Sequence, residues 1–107
     1  MTEFISNAHS TSGKVLVVAL ADGSVVMRFE DLESDNGPDL RVVLSTSTLN
    51  SGGDYGGRLI LEHLKGNIGS QNYTIGTDVD LGVYRSVVIW CERFGVAFGS
   101  AAIDVTA

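Results

Sequence analysis

The sequence predicts an all-β protein, an antiparallel β-sandwich of about seven to eight short strands. Three observations carry that expectation. Val25, Met27 and Phe29 alternate with Val26, Arg28 and Glu30, the period-2 pattern of a strand with one buried face. Asp22-Gly23 lies between two Val-rich runs, where a hairpin would turn. Apolar runs are separated by Gly-, Asn- and Asp-rich turns at intervals of about 8–12 residues. The 13 glycines in 107 residues exceed the usual share of about 7%.

Taken in order, Lys14 to Leu20 and Ser24 to Glu30 form the first hairpin. A type I′ turn at Asp22-Gly23 would place both central residues at positive φ. Glu33 to Asp39 is a turn stiffened by Pro38, the only proline, and Leu40 to Ser45 is the third strand. Thr46 to Gly57 is a polar, glycine-rich loop. Arg58 to Leu64 fits a strand through Leu59 and Leu61, and a helical turn through Leu61 and Leu64; both stay open. Gly66 to Gln71 reads as turn or loop and Asn72 to Ile75 as a short strand. Thr77 to Gly82 then links to the strongest strand, Val83 to Cys91. Glu92-Arg93 makes the hairpin into a last strand, Phe94 to Ile103, with Phe94, Val96 and Phe98 inward. The expected core is Met27, Phe29, Val87, Ile89, Phe94, Val96 and Phe98. Without repeat or linker, the chain reads as a single domain over residues 1–107.

Composition removes several function classes. A net charge of -6 with seven scattered basic residues lacks the clustered Lys and Arg that nucleic acid or an anionic membrane surface demands. No apolar run approaches the ~20 residues of a membrane span. Val15 to Ala21, ending Ala19-Leu20-Ala21, imitates a secretion signal but lacks a basic start, and a strand is the better reading.

The chemistry narrows to one sulfur. Cys91 is the only cysteine, so it forms no intramolecular disulfide, and it closes the run Ser86 to Cys91 beside the only tryptophan, Trp90. In a regular strand Val87, Ile89 and Cys91 share one face, and Val88 and Trp90 the other. Cys91 then points inward or sits at the rim of the core, where a free thiol is either a small hydrophobe or a reactive centre. Glu92 and Arg93 carry opposite charges, so local charge does not decide.

Other constellations are weaker. His9, His63 and Cys91 are far apart and give no metal-ligand spacing, and no metal site is expected. Without Cys-x-x-Cys-His there is no covalent haem attachment. Asp35 to Asp39 and Asp78 to Asp80 lack the calcium-loop pattern and read as turns. Gly52 to Gly57 lacks the Lys-Ser/Thr ending of a phosphate cradle.

Several ordered blocks begin at Phe4, His9 and Gly13 and continue through Asn36-Gly37-Pro38-Asp39-Leu40 into Val43-Leu44-Ser45. Leu64-Lys65-Gly66-Asn67 with Gly69, then Gln71-Asn72-Tyr73, come next. The last is Val87 to Cys91 with Phe94 to Ala101. Together these blocks resemble the DM13 domain family, also called electron-transfer DM13. Gly76, where the family usually has proline, and a shortened Thr46 to Arg58 segment depart from the pattern in turns only. The resemblance implies a β-sandwich, often extracytoplasmic and often joined to other domains such as the haem-binding DOMON class. It also implies a role for Cys91 as a redox thiol or as ligand to a group such as haem. Candidate cofactor-binding residues are then Cys91, Trp90 and His9, with a histidine or methionine as second axial ligand. Two readings stand. One is a redox domain centred on a partly accessible Cys91, with an unidentified redox partner. The other is a binding or interaction sandwich, with a protein or sugar partner and Cys91 as core filler.

Overall fold

A computed structural model of the protein describes residues 1–47, 57–103 and 105–106. The strands are β1 (Thr2–Glu3), β2 (Ile5–Ser6), β3 (Thr11–Ala19), β4 (Val25–Ser34) and β5 (Leu40–Ser45). They continue as β6 (Arg58–His63), β7 (Ile68–Ile75), β8 (Ser86–Cys91), β9 (Val96–Ala102) and β10 (Val105–Thr106). The first sheet runs β1-β3-β4-β7 with β10 also on β3; the second runs β2-β9-β8-β5-β6. All pairs among the described residues are antiparallel except β10, which joins β3 in parallel. The expected all-β sandwich is therefore present. Among the described residues no helix is long and apolar enough to cross a membrane.

The two sheets close on one core. Met27, Phe29, Val87, Ile89 and Phe98 are fully buried in it, as the alternation requires. At one side the N-terminal segment crosses from the first sheet (β1) to the second (β2), and Phe4 at the crossing packs edge-on to Phe29 with ring centroids 5.1 Å apart.

Several expectations are corrected. Phe94 is 58% exposed, because β9 begins only at Val96 and a turn occupies Glu92–Gly95, closed by the Gly95 amide on the Cys91 carbonyl at 2.8 Å. Val96 is half-buried. The Asp22-Gly23 hairpin exists, but Gly23 alone of the pair has positive φ (90°). It is a longer loop held by the Asp22 carboxylate, which accepts from the Ser24 amide and hydroxyl. The β8 strand starts at Ser86; Leu81–Val83 before it is a single 3-10 turn capped by Asp80. Arg58–His63 resolves as a strand, with Leu59 and Leu61 packed on the core. The polar stretch expected to be a turn before Asn72 belongs to β7, since an edge strand can carry polar residues on its open face. Likewise β4 runs on to Ser34 through an irregularity between Phe29 and Leu32, where Asp31 adopts φ 52°. The loop expected over Thr46 to Gly57, with its glycine run from Gly52, falls largely on residues 48–56, outside the described residues.

Candidate functional site

Strand β8 is central in the second sheet, flanked by β5 and β9, and its alternation separates the two most chemically informative residues. Val87, Ile89 and Cys91 face the core; Val88 and Trp90 face outward. Cys91 pairs with Leu40 on β5 and Val96 on β9, and its exposure is 0%. The thiol is therefore enclosed, and the expectation of a partly accessible sulfur is corrected. The reason is that the sheet pairing continues past Cys91, the last residue of β8. The Glu92 amide still reaches the Asp39 carbonyl at 2.9 Å, and Cys91 is flanked by Leu40 and Val96 on the neighbouring strands. Phe94, expected to point inward, is exposed to solvent and is not part of the core around Cys91.

Around this end of the sandwich the chain builds a cleft of about 440 Å³. One wall is the turn Asn36 to Leu40; the other is His63 to Asn67. The first wall is fixed by Asp39, whose carboxylate accepts from Arg41 Nε (3.2 Å) and Nη2 (3.0 Å) and lies 3.4 Å from His63 Nδ1. The Arg41 guanidinium, with lesser help from His63, holds the Asp39 carboxyl below the usual carboxylate range. Gly37 is required by close approach: a Cβ there would stand 2.9 Å from the Phe98 ring and 3.0 Å from Leu40.

The second wall is fixed from below. The buried Tyr73 hydroxyl accepts from the Lys65 amide (2.8 Å) and donates to Gln71 Oε1 (2.6 Å). Gln71 Nε2 donates to the Gly66 carbonyl at 2.8 Å, and the Lys65 ammonium donates to the Asn72 carbonyl while lying 5.1 Å over the Tyr73 ring. Burial pushes the Tyr73 phenol up to about 12. Sequence reading missed both devices. The nearest signal was His63, which stood in no motif, and only the β5–β6 pairing of Arg41 with His63 brings it to Asp39.

The remaining candidates lie elsewhere. The His9 ring stacks on Phe98 with centroids 3.9 Å apart, and its Nδ1 is 3.1 Å from Asp35 Oδ2. Trp90 packs outward on Val43, Val88 and Ala97. Its indole N–H donates to Glu92 Oε2 at 3.0 Å, and the Arg58 guanidinium lies 5.0 Å from the ring centroid. Among the described residues no three His, Cys, Asp or Glu side chains stand together as a metal would require. A haem does not fit at Cys91. The thiol is enclosed among apolar side chains, it does not line the cleft above, and Met27 is itself fully buried in the core. His9 is already engaged with Phe98 and Asp35.

A family model described as electron transfer DM13 matches residues 3–103. No curated protein and no solved structure matches the chain.

Proposed function

Because the chain belongs to the electron transfer DM13 family, we propose that it is an electron-transfer domain whose redox group is the Cys91 thiol, acting as a thiol and not as a haem ligand. The observation that carries this reading is a convergence. The Asn36 to Leu40 and Leu64 to Asn67 blocks line one cleft, the Gln71 to Tyr73 block braces it, and its floor residue Leu40 is the strand partner of Cys91. An outward movement of the Gly37 to Leu40 turn would present the sulfur to a partner. The thiolate then attacks a partner disulfide, forming a mixed disulfide and expelling the second partner sulfur as thiolate. A dithiol reductant displaces the mixed disulfide in two exchanges. The partner is left reduced, Cys91 is a thiolate again, and the reductant is a disulfide; two electrons have crossed.

A second reading is favoured by the 0% exposure of Cys91. In it the domain is an interaction module, the cysteine fills the core, and the cleft contacts a partner. The rate of Cys91 with a thiol reagent, measured across pH in native buffer and in denaturant, separates the two. Slow but finite native reaction, lost in Cys91→Ser, supports the redox reading. Reaction only after denaturant, with no chromophore in the absorption spectrum, leaves the interaction module in its place.

A further inference from the structure

We propose that Asn36 is a self-modifying residue: it deamidates through attack by the Gly37 amide nitrogen, and the isoaspartate formed loosens the turn beside Cys91.

Asn36 is the only asparagine in the sequence followed by glycine. Glycine has no side chain to crowd its own nitrogen. The pair lies between the end of β4 and the start of β5, outside both strands, and Asn36 is exposed. The Gly37 N–H donates to Asn36 Oδ1 at 3.0 Å, so the nucleophilic nitrogen is already held against the amide it attacks. The other described asparagines are restrained by more distant partners. Asn7 Oδ1 accepts from Ser100 Oγ at 2.7 Å, Asn67 Nδ2 donates to the Ser34 carbonyl at 2.9 Å, and Asn72 Oδ1 accepts from Arg28 Nη1 at 3.2 Å. Each is followed by a residue that carries a side chain: Ala8, Ile68 and Tyr73.

The step balances with water alone. Solvent base removes the Gly37 amide proton, and the nitrogen attacks Asn36 Cγ. The Cγ–Nδ2 bond breaks and ammonia leaves, taking a proton from solvent, so that a cyclic succinimide remains. Water then opens the ring. Attack at Cγ gives aspartate; attack at the main-chain carbonyl of residue 36 gives isoaspartate, with the backbone rerouted through Cβ and Cγ.

Both products put a carboxylate between Asp35 and Asp39, in a chain whose net charge is already -6. Isoaspartate also lengthens the backbone just before Gly37, where there is no slack. A Cβ on Gly37 would stand 2.9 Å from the Phe98 ring and 3.0 Å from Leu40. Leu40 in turn is the strand partner of Cys91. The deamidation stands apart from the redox reading, and its effect on Cys91 uses only the enclosure of the thiol.

The protein is aged in mildly alkaline buffer, with and without urea, and sampled by peptide mapping that resolves asparagine, aspartate and isoaspartate. Without urea, Asn36 should convert about tenfold faster than Asn7, Asn67 or Asn72, with isoaspartate in excess over aspartate. Conversion of Asn36 only in urea overturns the proposal, as does aspartate formed without isoaspartate. The separated isoaspartyl form should then react with a thiol reagent at Cys91 about tenfold faster than the unaged chain, while Asn36→Ser aged in parallel keeps the unaged rate. Equal rates overturn the loosening of the turn. The redox reading is decided separately, by the reaction of the unaged chain.

Discussion

The two faces of the second sheet are built from the same strands and serve opposite ends. Inward, Val42, Leu44, Val87, Ile89, Cys91 and Phe98 are buried in one core with residues of the opposing sheet. Outward, Val43, Val88 and Ala97 are small, and among the described residues Trp90 packs over them with the Arg58 guanidinium and the Glu92 carboxylate beside it. Cys91 and Trp90 are consecutive, yet one is enclosed and the other lines a groove. The inner face carries the large core side chains, while the outer face carries small ones under a charged rim.

That contrast can be broken from its strongest side first. Phe98→Ala removes a fully buried ring that His9 and Gly37 both pack upon, and should cost about 3–5 kcal/mol in denaturant unfolding. A loss under about 1 kcal/mol would mean the inner face is not tightly packed. Raising the pH tests the buried phenol beneath the cleft. Tyr73 titrates near 12 in the folded chain and near 10 unfolded. Because the unfolded state then releases its proton first, stability should fall between those values, by on the order of 2 kcal/mol. Tyr73→Phe should flatten that alkaline decline in thermal unfolding curves.

Smaller effects sharpen the comparison. Cys91→Ser puts a hydroxyl among apolar neighbours and should cost about 1–3 kcal/mol while the far-ultraviolet dichroism stays that of a β protein. An unchanged stability would place the sulfur nearer solvent than the inner face allows. The Asp39 carboxylate, depressed by Arg41, stabilises the cleft wall above its unfolded value of about 3.9. That contribution is lost as pH falls through the lower folded value. Native labelling of Cys91 should accelerate in that acidic window relative to Asp39→Asn, which lacks the transition. Last, Arg58→Gln should change stability by less than about 0.5 kcal/mol yet shift Trp90 emission, since the exposed guanidinium lies against the ring. A large destabilisation would make the outer groove structural.

Much of this was legible from period alone. The alternation of Val25 to Glu30 and of Val87 to Cys91 determined which residues face the core, because strand side chains change sides at every step. Local signals misled where the neighbouring strand decides. Residues 68–71 looked like a turn because an edge strand can keep one polar face, and Phe94 looked internal because the end of β8 was invisible. The Asp22-Gly23 signal located the hairpin but not its turn type, which rests on Asp22 hydrogen bonds to Ser24.

By itself the sequence determined the fold class, the family and the single sulfur on the same strand face as Val87 and Ile89. These follow from short-range periodicity and from ordered residue blocks. Only the tertiary structure decided that Cys91 is enclosed, that Asp39 meets His63, and that Arg58 comes to lie over Trp90. Each depends on strands far apart in the chain being hydrogen-bonded side by side, a register set by packing across the whole sheet and not by any neighbouring residue.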